Sequence, residues 1–166
     1  MTAPMSDDPK ILEAGHAATP FTADDIRRGC PTGRTIRLLV EPADEPPFIS
    51  STLFVECDSE SAVLEMSTTT TDGEEFGPTS TMRATWRELQ AHASFPIEVV
   101  EIAADTTETP LGTFDCLRYT VDDGYTRDIF CFALDLPGMP VRFTKHIDGR
   151  LTSTTTMVEN LMPSSS

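Results

Sequence analysis

Runs rich in Val, Ile, Phe and Thr, separated by polar turn residues, dominate the chain from residue 34 onward. Such runs are typical of β-strands, because branched and aromatic side chains pack well on a pleated surface. The pattern predicts nine strands, at residues 34–41, 48–57, 62–70, 75–83, 97–104, 113–122, 125–135, 140–147 and 150–158.

Turn signals lie between several of these strands. Asp-Gly occurs at 72–73, 123–124 and 148–149, and Pro-Gly occurs at 137–138. Asp-Gly favours tight hairpins whose two central residues have positive φ, and Pro-Gly favours a type II turn. Four hairpin signals in one chain predict an antiparallel meander.

Two short helices are also predicted. Thr22 can cap a helix over residues 23–28, which has acidic residues in its first turn and a glycine just past its end. Thr85 and Glu88 form a capping box for a second helix. Trp86 lies on the apolar stripe of that helix, so we expect it to anchor the helix to the sheet.

These elements predict a single mainly-β domain of residues 21–160. Its sheet is expected to be one strongly curved antiparallel sheet, a half-barrel or partly closed barrel, with one packed helix and a short N-terminal helix. Residues 1–20 show no periodicity and predict a flexible N-terminal tail, and residues 161–166 predict a flexible C-terminal tail. A chain of 166 residues has about the length of a single domain.

The net charge excludes several classes of partner. The chain has 27 acidic and 12 basic residues and a formal net charge of −15, which repels nucleic acid and anionic membranes. No apolar run is long enough to span a membrane, and the first residues lack a secretory pattern, so a cytoplasmic location is expected. Phosphate-binding glycine motifs are absent, and we expect no cofactor.

The cysteines and histidines do not form a metal-binding pattern. They are Cys30, Cys57, Cys116, Cys131, His16, His92 and His146. No Cys-x-x-Cys pair occurs, and no histidine lies at a zinc-like spacing from a cysteine. We therefore expect buried free thiols and no metal site.

If the last three turns contain two residues each, the register of the last four strands follows, with Cys116 opposite Cys131 and Arg142 opposite Thr155. One side, the aromatic face, then carries Leu117, Tyr119, Val121, Phe130, Phe132, Leu134, Val141, Phe143, Ile147 and Val158. The other side, the mixed face, carries Cys116, Arg118, Arg127, Ile129, Cys131, Ala133, Arg142, Thr144, His146 and Ser153.

The aromatic face is either an ordinary core or the lining of an apolar pocket. The first functional hypothesis is a non-enzymatic protein that binds an apolar or acyl-type small molecule on the concave side of the sheet. The expected ligand-binding residues are Trp86 at the pocket mouth, Leu117, Tyr119, Phe130, Phe132, Phe143, Arg118 and Arg142. The arginines of the mixed face either pair with carboxylates or anchor a carboxylate or phosphate.

Two alternatives remain open. One is a small barrel enzyme, an isomerase, cyclase or lyase, in which His146 or Tyr119 exchanges protons and Arg142 or Arg118 polarises the substrate. The other is a structural homo-oligomer, in which the Thr-rich segments 67–71 and 152–156 pair at exposed strand edges.

The last third of the chain carries a family resemblance. The stretch Thr-Pro-Leu-Gly-Thr-Phe-Asp-Cys at 109–116 is followed by Phe-Cys-Phe-Ala at 130–133 and Leu-Pro-Gly-Met-Pro-Val at 136–141. These segments resemble bacterial β half-barrel proteins of unknown function that are loosely similar to the LolA/LppX lipoprotein carriers. The resemblance implies a curved sheet crossed by helices and lipid-like cargo, and it assigns no catalytic residue. Leu111 stands where the family usually has Ala.

Overall fold

The computed structural model describes residues 8–163 as one nine-stranded antiparallel sheet with two short helices. The elements are α1 (Ala23–Gly29), β1 (Thr35–Pro42), β2 (Phe48–Cys57), β3 (Ser61–Thr70), β4 (Ser80–Thr85), α2 (Trp86–Ala91), β5 (Val100–Thr109), β6 (Gly112–Asp122), β7 (Thr126–Ala133), β8 (Arg142–Ile147) and β9 (Arg150–Leu161). The predicted fold class is confirmed, since all nine strands and both helices are present and the sheet is not closed.

The sheet consists of two meanders joined in the middle. Its strand order is β4-β3-β2-β1-β9-β8-β7-β6-β5, so pairing of β1 with β9 connects the first four strands to the last five. The connection between the meanders along the chain runs through α2, from β4 to β5, and these two strands form the open edges of the sheet.

The two Thr-rich segments expected at exposed edges differ in position. Segment 67–71 belongs to β3 and the turn after it, and it pairs with β2 on one side. On its other side the β3–β4 ladder ends at Met66, and only an isolated bridge of Thr69 with Glu75 follows. Segment 152–156 belongs to β9, which pairs with β1 and β8 and is therefore not at an edge. Pairing with another copy of the chain stays a prediction.

Strands β5–β9 curl strongly. In a flat sheet β5 and β9 would lie about 19 Å apart, four strand spacings. Instead, Cα atoms of the two strands approach within 8 Å. The buried side chains of β5, Thr107 and Thr109, share the face of Cys116 and Cys131, so the curl is toward the mixed face.

The N-terminal segment differs from the predicted flexible tail. Ala17 N donates to Phe95 O at 2.9 Å, and Tyr119 Oη donates to Ala18 O at 2.6 Å. Thr19 and Pro20 are buried. Residues 8–20 thus pack against α2 and the loop after it, and Ala18 reaches Tyr119 of the aromatic face. These contacts use backbone carbonyl and amide groups, which leave no periodic pattern in the sequence. Residues 1–7 and 164–166 of the predicted tails lie outside the described residues, and Leu161 is still part of β9.

Both helix starts follow the sequence signals. Thr22 Oγ1 accepts from Asp25 N and the Asp25 carboxylate accepts from Thr22 N, each at 3.0 Å. Thr85 and Glu88 make the same reciprocal pair in α2, also at 3.0 Å. The predicted cap of α1 and the capping box of α2 are confirmed.

The hairpin turns decide the register. Asp148 and Gly149 have φ of 50° and 79°, and Ile147 pairs with Arg150, so this predicted two-residue turn is confirmed. The turn at Asp123-Gly124 is longer, because the Asp123 carboxylate accepts from Tyr125 N and Thr126 N.

The longer turn shifts the pairing of β6 with β7 by two residues. Cys116 therefore lies opposite Ala133, and the predicted Cys116–Cys131 pairing is wrong. A shift of two residues keeps the faces, since side chains alternate with a period of two. Leu117, Tyr119 and Phe130 still share the aromatic face.

A bulge in β9 makes a one-residue shift. Arg142 pairs with Thr156 and not with Thr155, and the register changes between Lys145 and His146. Ser153 consequently lies on the aromatic side, opposite Lys145, and Val158 lines a groove on the mixed side. The extra residue of a bulge is not marked by any turn residue, so a register counted from the turns alone did not include it.

A buried arginine ties distant segments together. Arg34 has no exposed surface, and its Nε donates to Asn160 Oδ1 at 2.8 Å. Its Nη1 donates to Gly29 O at 3.0 Å and to Pro137 O at 2.8 Å. Gly138, with φ of 119°, leaves room here, because a Cβ would meet the Cys30 sulfur at 3.3 Å. Arg34 thereby connects the end of α1, the β7–β8 loop and β9.

We expect Arg34→Met to lower the free energy of unfolding by about 3 kcal/mol, because it leaves buried acceptors without donors. Urea denaturation measures this change. The matched control is Arg37→Met, three residues away, where the arginine is half-exposed and pairs with Glu159. That change should cost less than about 1 kcal/mol. Equal losses in the two variants would contradict the role given to Arg34.

Candidate functional site

The aromatic face is covered by other side chains of the protein. Phe132 is 4% exposed, and its ring meets Phe21 edge-on at a centroid distance of 6.3 Å. Phe95 stacks on Phe130 at 5.5 Å, and Phe130 lies 4.5 Å from Phe143. Such contacts are those of a packed core. Ligand binding by Phe130, Phe132 and Phe143 stays a prediction.

Three further predicted ligand-binding residues also lie in the core. Tyr119 is 1% exposed and Trp86 is 3% exposed, while Leu117 packs partly buried against the same cluster. Trp86 Nε1 donates to Asp58 O at 2.9 Å, which fastens the start of α2 to the β2–β3 turn. Burial raises the pKa of Tyr119 to about 12, so its phenol is neutral over the ordinary pH range.

The mixed face brings the predicted arginines together. Arg118 on β6, Cys131 on β7 and Arg142 on β8 are successive cross-strand neighbours. Arg118 donates to the Asp105 carboxylate at 2.9 Å, so its charge is paired. The side chain of Arg142 makes no hydrogen bond or ion pair within residues 8–163, and its Nε is buried.

Of the two proton-exchanging candidates in the enzyme hypothesis, His146 shares a face with Arg118 and Arg142 and Tyr119 does not, so the version with His146 stays a prediction. His146 lies opposite Arg127 on the mixed face, and its Nδ1 is buried without a partner in the described part of the chain. Tyr119 lies on the aromatic face, with its hydroxyl bound to Ala18 O. The sheet separates these two proton-exchanging groups, and Tyr119 shares no face with Arg142.

An open groove of about 600 Å³ lies where the mixed side of the sheet continues into the first meander. The side chains that line its floor are Arg37, Ile49, Ser51, Leu53, Glu65, Ser67, Thr69, Val158 and Glu159. Arg37 and Glu159 form an ion pair across β1 and β9. No pattern in the sequence indicated this groove, because its lining comes from four strands whose order the sequence did not show.

A second cavity of about 500 Å³ lies between the N-terminal segment, α1 and the β7–β8 loop. Lys10, Phe21 and Pro137 contribute to its lining. Its arginine, Arg28, is already paired with the Asp25 carboxylate at 3.0 Å.

Three of the four thiols are poorly suited to nucleophilic chemistry. All four cysteines are free. Burial raises the pKa of Cys30, Cys57 and Cys116, which disfavours the reactive thiolate. Across residues 8–163, no group of three or more His, Cys, Asp or Glu side chains is placed to hold a metal ion.

Comparisons with protein families and with curated proteins returned no match. No protein-family model matches the sequence, and no curated protein is significantly similar to it. Within the described residues, neither helix has the length and apolar character needed to cross a bilayer. The resemblance to the LolA/LppX carriers stays an expectation.

The burial of Tyr119 predicts a pH dependence of stability. Its pKa in the folded protein, about 12, lies above the ordinary value of 10, so the folded state keeps the proton longer than the unfolded state does. The free energy of unfolding should therefore be unaffected by this group below pH 10 and fall as the pH rises from 10 to about 12.

The two tyrosines allow a direct measurement. Tyr125 is 62% exposed and Tyr119 is buried. In the Tyr125→Phe variant, absorbance of the phenolate reports Tyr119 alone, and its transition should lie near pH 12. Tyr119→Phe should remove this high-pH transition. A single transition near pH 10 in the Tyr125→Phe variant would contradict the packed position of Tyr119.

Proposed function

We propose that this protein is a non-catalytic binding protein for an amphipathic small molecule with an acyl-type chain, which it takes up in the groove over β1–β3 and β9. The observation that carries this proposal is the groove itself. Its volume of about 600 Å³ falls within the range of about 300–1,000 Å³ that is usual for small-molecule sites.

The lining suits an amphipathic ligand, since it combines a few apolar side chains with many polar ones. Ile49, Leu53 and Val158 provide apolar surface, and hydroxyl groups such as those of Ser51 and Thr69 lie between them. Small-molecule sites commonly combine apolar walls with a few polar groups that orient the ligand. Each apolar carbon removed from water contributes about 0.8 kcal/mol, so even an open groove can hold a chain of moderate length.

The aromatic face is already covered by side chains of the protein, which favours the groove as the binding site over the pocket expected from the sequence. Phe21 and Phe95 already contact the rings of Phe132 and Phe130. A ligand on that face would have to displace the N-terminal segment, whose Ala18 accepts a hydrogen bond from Tyr119. A ligand that enters the groove does not have to displace any segment of the protein.

Filling the groove tests the proposal. Ser51 is half-buried at the centre of the lining, between Arg37 and Ser67 on the neighbouring strands. We expect Ser51→Trp to weaken binding of a dansyl-labelled fatty acid by about tenfold or more, because the indole occupies the space of the acyl chain. Fluorescence titration measures the affinity, and circular dichroism checks the fold.

The matched control is Thr106→Trp, an equally large substitution at an exposed site on β5 outside the groove. It should leave the affinity unchanged. Binding that survives Ser51→Trp but is lost in Phe130→Ala would move the site to the aromatic face. Absence of binding to the wild-type protein would overturn the proposal.

A further inference from the structure

Arg142 is an unpaired cation in a strongly acidic chain. Its neighbours on the mixed face, Cys131, Thr144 and Thr156, are all uncharged. Two carboxylates of the same face are already used, since Asp105 binds Arg118 and Glu159 binds Arg37. Arg142 is half-buried and has no acidic partner in the described part of the chain, and its buried Nε has none of the carbonyl or amide acceptors that satisfy the buried Arg34.

The unpaired arginine lies in line with the groove. Arg142 pairs with Thr156 on β9, Thr156 with Leu39 on β1, and Leu39 with Ile49 on β2. Ile49 is part of the groove lining. Three strand spacings separate Arg142 from Ile49, which is about 14 Å. The residues between them carry no charge. Leu39 is half-buried and Thr156 is buried, so a chain along this line contacts Leu39 and passes over Thr156.

The two ends of this line differ in charge. Glu65 and Glu75 line the groove on the side of β3, whereas Arg142 lies on the side of β8. An anionic group is repelled from the first end and attracted to the second. The hydroxyl of Thr144, a half-buried mixed-face neighbour of Arg142, supplies an additional donor.

We propose that Arg142 anchors the anionic end, a carboxylate or a phosphate, of the ligand whose chain lies in the groove. A guanidinium binds either group through two parallel hydrogen bonds, and Nε is one of the donors used in this geometry. The buried, unpartnered Nε of Arg142 is then satisfied by the ligand. This inference rests on the proposed function of the groove and names the chemical class of its ligand.

Three probes with the same chain test the anchor: dodecanoate, dodecyl phosphate and the neutral dodecanol. Calorimetric titration should show that Arg142→Met weakens binding of at least one anion by about tenfold or more and leaves dodecanol binding unchanged. The anion with the larger loss identifies the end group. Arg150→Met, at the exposed β8–β9 turn, is the matched control and should have no effect.

A second variant and a spectroscopic signal distinguish loss of the anchor from misfolding of the Arg142→Met variant. Arg142→Lys keeps the charge but loses the two-bond geometry, so an intermediate loss for the anion is expected. In the wild-type protein, the Nε–H resonance of Arg142, identified by its absence in Arg142→Lys, should move on titration with dodecanoate and not with dodecanol.

The outcomes separate the two proposals. Equal losses for all three probes in Arg142→Met, or no loss for either anion, would overturn the anchor while the groove remains a binding site. A wild-type protein that binds none of the three probes would instead overturn the proposed function, and the anchor with it.

Discussion

Pairing of β1 with β9 holds the two halves of this molecule together. In the described part of the chain it is the ladder that links the first meander to the second. Its partners are far apart along the sequence, since Thr35 pairs with Leu161 and Pro42 with Ser153. Closing such a long loop costs chain entropy before any contact forms. Other contacts must therefore stabilise this junction.

Arg34 supplies several of those contacts at one end of the junction. It precedes β1 directly, and it binds Asn160 of β9 as well as carbonyl groups of α1 and of the β7–β8 loop. Asn160 itself pairs with Ile36 in the β1–β9 ladder. One buried side chain thus fixes the helix, the loop and the central strands relative to each other. The groove depends on this arrangement, because its floor includes residues from both β1 and β9.

The two faces of the sheet have different roles as a consequence. Ala18, Phe21 and Phe95 cover the aromatic face, so its rings stabilise the fold. The mixed face keeps an open groove and an arginine without a partner. The aromatic residues looked like the better candidates for a ligand, yet the unpaired charge and the open volume lie on the opposite side. Buried apolar residues more often form a core than a pocket.

The sequence by itself determined the local elements. Strand-forming runs, the caps at Thr22 and Thr85 and the Asp148-Gly149 turn each depend on residues close together in the chain, and these predictions are confirmed. The faces of the sheet were also predictable: Arg118, Cys131 and Arg142 lie on one face, and Tyr119 and Phe130 lie on the other. Side chains alternate between the faces along each strand, and a register shift of two residues preserves this alternation.

Only the tertiary structure decided how these elements are combined. The β1–β9 pairing, the bulge that places Thr156 beside Arg142 and the cover over the aromatic face arise from contacts between residues distant in sequence. Nothing within a strand specifies its partner. The groove and the unpaired state of Arg142 followed from that choice of partners, which is why the candidate site could be found only once the strands were in place.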